Sequence, residues 1–257
     1  MIHGLRVEDG KALWYKNKFV TSPFGFGPNT HVLKHGEKIY ALVEGGVSPV
    51  IMDSEMNFLE EEPFPAADNK RFTAHPKIDS DTGEMHAVSY DFGEYVNGLG
   101  QVHYVTIDSN GKLIKDQIIE TPSRPMVHDC AITKNYVLIF DLPVTFNLGR
   151  RDDDNNPIGG DYPVVWNDKH TSRVGLQNKK TDEIIWIEVN PGFLFHIVNS
   201  YEDDNGQVIL DFCRYERLID FDNPLPMGQK PFLTRWILDP KTKTCSEEML
   251  DDRPMEF

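Results

Sequence analysis

The chain of 257 residues holds only three cysteines, Cys130, Cys213 and Cys245, widely scattered and without CxxC spacing. That odd number and spacing exclude a disulfide framework, a thiol redox motif and a cysteine zinc knuckle, and the three read as small buried hydrophobes. Basic residues are scarce, with 26 Lys and Arg against 41 Asp and Glu, a formal net charge of −15. A charge of that sign repels phosphate backbones over a Debye length, so nucleic acid is not an expected partner. Long apolar runs are missing: stretches such as Tyr136 to Phe140 are about a quarter of the roughly 20 residues that a spanning helix needs. The N-terminal stretch carries Glu8 and Asp9 in place of the basic-then-apolar order of a secretory signal. With the cysteine usage, this makes a cytoplasmic location the expectation. GxGxxG, GxxxxGK, GxSxG and HExxH are all absent, which removes the common dinucleotide, phosphate, hydrolase and zincin signatures. Amphipathic helical periodicity is lacking too.

What is present is strand-and-turn grammar. With 39% hydrophobic and 26% charged residues the composition is globular. Its apolar runs are short, rich in Val, Ile, Tyr and Phe, and broken by Gly, Asn and Asp. They predict strands at Lys38 to Glu44, Met85 to Phe92, Val102 to Asp108, Tyr136 to Leu142, Glu183 to Val189, Phe193 to Tyr201, Val208 to Tyr215 and Phe232 to Leu238. Turn signals at Lys34 to Glu37, Asp81 to Glu84, Asp108 to Lys112, Asp203 to Gly206 and Asp239 to Thr242 read as hairpin tips. Such a succession suits a sandwich, a barrel or a propeller, and the repeated strand, Asp-rich turn, strand unit favours the propeller. Asn147 to Asn167, with its charge cluster and Gly159-Gly160, reads as a long inter-strand loop.

Three of the nine histidines stand among apolar neighbours at strand starts: His75 in Phe72 to Pro76, His128 in Pro125 to Asp129, and His196 in Phe193 to Asn199. Spacings of 53 and 68 residues exceed one blade of a propeller, so each would come from a different blade and point to the axis. All-imidazole coordination suits Zn, Cu or Fe(II), and spacing does not choose among them. Neutral core imidazoles are the alternative, each ring nitrogen then needing a hydrogen-bond partner. His35, His86 and His170 lie in turn-like or charged segments and are expected at the solvent surface. The runs Glu60 to Glu62 and Asp152 to Asp154 read as solvated surface rather than paired catalytic carboxylates.

In these contexts the chain resembles the carotenoid cleavage oxygenase family, which includes stilbene-cleaving members. The residues that carry the resemblance run from end to end: Met1 to Gly4, Asn29 to His31, Ala41 to Gly46, Thr73 to Asp79 with Thr82 to Glu84, Pro125 to Asp129, Phe195-His196 with Asn199 and Tyr201-Glu202, and Arg253 to Phe257. The resemblance implies a seven-bladed β-propeller with a non-haem Fe(II) on its axis, bound by four histidines and supported by three glutamates. His75, His128 and His196 match the first three ligands, and Glu44 and Glu256 match two of the glutamates, whose task is to fix imidazole tautomer and orientation. The positions of the fourth histidine, the third glutamate and the first blade segment are not in the sequence, so residues 1–257 read as a partial propeller from a longer enzyme.

The implied reaction is O2-dependent cleavage of a conjugated carbon-carbon double bond into two carbonyl products, the alkene lying in an apolar tunnel. Val43, Met126, Phe195 and Phe257, next to the matched residues, are the expected tunnel lining, with core packing as the alternative role. Stilbene-cleaving members that grip a phenol carry lysine just before the first glutamate. Here that residue is Val43, which offers a phenolate no ionic partner and favours a carotenoid or apocarotenoid over a stilbene. Pro143 to Leu148 is a candidate for peripheral membrane contact, or a strand continuing into core. A non-catalytic binding propeller with structural histidines is the competing class.

Overall fold

In the computed structural model, which describes residues 1–20, 27–44, 48–61, 72–90, 100–146, 164–218 and 229–256, every helix or strand among those residues is a strand. Two compact units divide the chain: Met1–Gly93 with His103–Ile118, and Glu94–Val102 with Ile119–Phe257.

In the first unit, β1 (Ile2–Glu8) and β2 (Lys11–Lys18) form a hairpin. The next sheet runs β3 (His31–His35), β4 (Lys38–Leu42), β5 (Val50–Met52) and β6 (Phe58–Glu61) in sequence order. A further sheet has β7 (Lys77–Ile78), β8 (Met85–Tyr90), β9 (Gly100–Ile107) and β10 (Leu113–Thr121) side by side, the division between units falling within β9 and β10. The two-residue period of β4 serves two cores. Ile39 and Ala41 join Ile2, Val20, Val50, Met52 and Met56, while Tyr40 and Leu42 join Ile51, Phe72, Met85, Ala87, Val105 and Ile107.

In the second unit, β11 (Ala131–Ile132), β12 (Tyr136–Asp141), β15 (Arg173–Asn178) and β16 (Ile184–Glu188) form one sheet, and β13 (Val144–Phe146) pairs with β14 (Val164–Trp166) as an inserted hairpin. The last sheet is β17 (Ile197–Glu202), β18 (Val208–Arg214), β19 (Phe232–Asp239) and β20 (Thr244–Pro254). One core binds both four-stranded sheets, with Leu138, Phe140, Val174, Leu176 and Ile187 meeting Val208, Leu210, Phe212, Trp236 and Leu238. Full burial of each large side chain stabilises by about 1.5–3 kcal/mol, and Phe212 packs edge-on to Trp236 at 4.5 Å.

All five predicted tips are hairpin connections, and aspartate side chains build four of them, the exception being Lys34 to Glu37. Oδ1 of Asp108 accepts the Asn110 and Lys112 amides at 2.9 and 2.8 Å, and Asp203 does the same with Asn205 and Gln207 at 3.0 and 2.8 Å. Gly111 and Gly206, at φ +81° and +79°, supply the left-handed residue that each loop needs. Asp53 repeats the device with Met56 at φ +62° in the glycine's place, which is why composition did not mark that turn.

Two expectations are corrected. The side chains of His35, His86 and His170 are buried rather than solvent-exposed, because residues distant in sequence supply their partners. His35 Nε2 lies 2.8 Å from the Gly83 carbonyl and His86 Nδ1 2.9 Å from the Tyr104 hydroxyl. His170 stands between Ser123 Oγ at 2.7 Å and Asp141 Oδ1 at 2.9 Å, with Arg173 on the other Asp141 oxygen. Within Pro143 to Leu148, Val144, Thr145 and Phe146 are buried in β13, as the reading of this segment as a strand continuing into core expects; Asn147 and Leu148 lie outside the described residues. Of the long loop from Asn147 to Asn167, Val164–Trp166 is strand, and 147–163 lie outside the described residues.

Candidate metal centre

Each of the three singled-out histidines immediately precedes the first strand of a different four-stranded sheet. His75 stands two residues before β7, His128 three before β11, and His196 adjoins β17. Both glutamates sit two residues beyond a strand end, Glu44 after β4 and Glu256 after β20.

In the second unit His128 and His196 converge. Their Nε2 atoms are 3.2 Å apart, with ring centroids at 5.0 Å and planes at 67°. Two nitrogens each about 2.1 Å from one metal stand about 3.0 Å apart at a right angle and about 3.4 Å apart at a tetrahedral one. The observed separation falls between, so the pair fits two neighbouring positions of one coordination sphere. Their loops are braced by Asp129, which is buried. Its Oδ1 accepts the Cys130 amide at 2.7 Å and its Oδ2 the Ile197 amide at 3.2 Å, so one carboxylate joins the residues that follow His128 and His196. Phe193 and Tyr215 exchange backbone hydrogen bonds of 2.8 Å, which fixes the approach to His196. Phe195 stands edge-on to His128 at 5.2 Å and to Tyr215 at 5.6 Å, and half-buried Met126 donates its amide to the Val144 carbonyl at 2.8 Å.

Behind His196, Glu256 Oε1 lies 3.7 Å from Nδ1, within ion-pair range and longer than a hydrogen bond. Burial, helped by the neighbouring Glu256 carboxylate, raises the pKa of Tyr215. Burial, helped by the Glu256 charge, pushes the Cys213 thiol up to about 11, which leaves it a protonated packing residue.

In the first unit His75 is half-buried between buried Ala74 and Pro76, its amide donating to Thr73 Oγ1 at 3.2 Å. His31 Nδ1 donates to the Ala74 carbonyl at 2.8 Å and its ring lies 6.2 Å from that of His75. Glu44 accepts the Tyr90 hydroxyl at 2.7 Å, and Val43 beside it is half-buried. Tyr90 is itself buried, and desolvation with the adjacent carboxylate raises its pKa. Phe257 lies outside the described residues.

Sequence reasoning did not single out Asp129, Tyr90 or Tyr215. Only Asp129 carried a local signal, as a carboxylate next to a candidate ligand within an otherwise apolar segment.

Histidines at the starts of successive four-stranded sheets, two of them with converging nitrogens and a carboxylate behind one, define a scaffold for imidazole-bound metal. The family model described as "RPE65: Retinal pigment epithelial membrane protein" matches residues 25–257, and the chain belongs to that family. It is 32% identical over 316 aligned positions to the "Carotenoid cleavage oxygenase" of Mycobacterium tuberculosis, covering 100% of this chain and 62% of the relative. With the "Apocarotenoid-15,15'-oxygenase" of Synechocystis it shares 27% identity over 89% of this chain and 48% of that one. Among solved structures, the lignostilbene dioxygenase of Pseudomonas brassicacearum matches with a TM-score of 0.74 and 25% identity, over 91% of this chain and 49% of that one. The chain therefore spans about half to three fifths of the length of these relatives.

Proposed function

We propose that the protein is a non-haem Fe(II) dioxygenase that cleaves a conjugated carbon-carbon double bond with O2, giving two carbonyl products, and that its substrate is a carotenoid or apocarotenoid. The observation that carries the reading is the 3.2 Å approach of His128 Nε2 to His196 Nε2, backed by Glu256. His75 is proposed as a further ligand, its motif lying inside the family match and its place before a first strand being the same as that of the other two. Imidazole ligands suit divalent iron among the first-row metals. Iron, when bound, would supply the one-electron chemistry that O2 needs to react with a closed-shell alkene.

The chain's own residues supply the rest. Asp129 holds the two histidine loops at a fixed spacing, and Glu256 favours the Nδ1–H tautomer of His196, which leaves Nε2 as the metal-facing lone pair. Phe195, edge-on to His128, and Met126 offer apolar surface beside the metal position, and a polyene needs contact without hydrogen bonds. Val43 keeps the position before Glu44 uncharged.

Fe(II)-loaded protein, supplied in turn with an apocarotenal and a phenolic stilbene under 18O2, tests the proposal. The expected result is a pair of 18O-labelled carbonyl products, chiefly from the apocarotenal, and none from His196→Ala. Cleavage that survives in His196→Ala, or an iron-loaded protein that consumes neither substrate, would overturn it.

A further inference from the structure

The main chain around His75 is constrained in three separate ways. Thr73 Oγ1 accepts the His75 amide at 3.2 Å. Pro76 follows, and a residue before proline is held to extended backbone. The carbonyl of Ala74, a residue with no exposed surface, accepts from His31 Nδ1 at 2.8 Å across 43 residues of sequence. The first two constraints are local to the segment, whereas the third comes from another sheet. His31 opens β3 opposite Leu42 of β4, and the Thr30 amide before it donates to the Leu42 carbonyl at 3.1 Å. Leu42 shares a core cluster with Phe72, which adjoins Thr73. The His31 imidazole therefore reaches the His75 segment from a strand that is itself paired, and its ring lies 6.2 Å from that of His75 at a 31° tilt.

We propose that His31 is a positioning residue of the metal centre, whose Nδ1–H holds the Ala74 carbonyl so that the adjoining peptide cannot turn and His75 leaves the main chain in one direction. The proposal rests on the reading of His75 as a ligand given above. A buried carbonyl needs a partner, and a side chain anchored on a strand supplies one at fixed geometry. Asp129 does the corresponding work in the second unit, where its carboxylate takes the amides of the residues that follow His128 and His196. In both units the brace acts on the main chain next to the imidazole rather than on the imidazole itself, so it prepares the ligand before an ion arrives. What the role asks of residue 31 is one N–H donor at the place of Nδ1. Asparagine offers its amide N–H at the same distance along the side chain, while phenylalanine keeps a flat ring and offers no donor. These two substitutions therefore separate the hydrogen bond from the packing of the ring.

The test is a Co(II) titration of the full chain followed by visible absorption, comparing the unmodified protein with His31→Asn, His31→Phe, His31→Ala, His75→Ala and the double variant His31→Phe/His75→Ala, with folding checked by circular dichroism. His31→Phe and His31→Ala are expected to weaken Co(II) binding about three- to tenfold, less than the roughly ten- to hundredfold typical of a group bonded directly to a ligand. Both should also change the shape of the visible Co(II) band, which reports ligand geometry. His31→Asn should restore most of the affinity and the unmodified band. In the His75→Ala background His31→Phe should add nothing, because His31 acts only through His75. A ring that merely packs would be replaced by phenylalanine without loss and not by asparagine, and that result would overturn the proposal. So would unchanged affinity and band in all three His31 variants, or a full effect of His31→Phe in the His75→Ala background. If His31→Phe does not fold, the contrast between His31→Ala and His31→Asn decides. Co(II) binding that is absent from the unmodified chain, or undiminished in His75→Ala, would refute the reading of His75 as a ligand and the proposal with it.

Discussion

Replacing Asp129 by alanine removes a carboxylate that joins the two histidine loops. Its oxygens satisfy the Cys130 and Ile197 amides at 2.7 and 3.2 Å, and only 2% of the residue is exposed, so water does not simply take its place. Leaving a buried donor unsatisfied costs about 1–3 kcal/mol, so two such amides cost about 2–4 kcal/mol once partial relaxation is allowed. That is a large part of the roughly 5–15 kcal/mol that holds a domain together. Asp129→Asn keeps the shape and one acceptor oxygen but turns an NH2 group toward the other amide, so about half of the loss is expected. Because the brace sets the 3.2 Å separation of His128 and His196, metal affinity should fall about ten- to a hundredfold in the alanine variant. Urea unfolding followed by tryptophan fluorescence gives the first quantity and Co(II) titration the second. If Asp129→Ala changes stability by less than about 0.5 kcal/mol and leaves Co(II) affinity intact, the account of how the two loops are held is wrong.

Three further outcomes follow from single residues. Gly206→Ala places a side chain at φ +79° with nothing within 4 Å, so its cost is conformational alone, about 1–2 kcal/mol in a urea midpoint without a change in slope; a neutral substitution would refute the left-handed assignment. Burial raises the Glu202 carboxyl, but hydrogen bonds from Thr133 and Asn135 outweigh it and hold the folded pKa below the ordinary 4.5. Its stabilising contribution is therefore whole above about pH 4.5 and fades as pH falls through the lower folded value, so the stability gap between wild type and Glu202→Gln should close in acid; a gap independent of pH would contradict this. Val43→Lys should shift cleavage toward phenolic stilbenes relative to apocarotenals, and an unchanged product ratio would remove Val43 from substrate selection.

The five tips and eight of the twenty strands among the described residues, β4, β8, β9, β12 and β16 to β19, were legible because they depend on local chemistry. Asp-x-Asn-Gly loops and β-branched runs carry their own instructions, and Asp108 to Gly111 and Asp203 to Gly206 fold as read. Of the twelve strands that were not predicted, the edge strand β20, Thr244–Pro254, was missed because it is polar along most of its length and is held by pairing with β19 rather than by burial. Met56 hid a turn behind an apolar side chain that the core needed. Among the site residues, His128 and His196 stood out as imidazoles in apolar strand starts, and their convergence is the geometry that context implied. The burial of His35, His86 and His170 was not legible, since Gly83, Tyr104, Ser123 and Asp141 reach them from 48, 18, 47 and 29 residues away. Tyr90, which reaches Glu44 from 46 residues away, was hidden for the same reason.

The central claim is a histidine-bound metal, and the most direct measurement is metal content after anaerobic reconstitution with Fe(II) and removal of free ion, for the unmodified chain beside His75→Ala, His128→Ala and His196→Ala. The account predicts one saturable iron per chain in the unmodified protein, and in every histidine variant a loss of affinity larger than the roughly ten- to hundredfold expected for an outer supporting residue. Iron that is absent from the unmodified chain, or retained equally by the three variants, would contradict it.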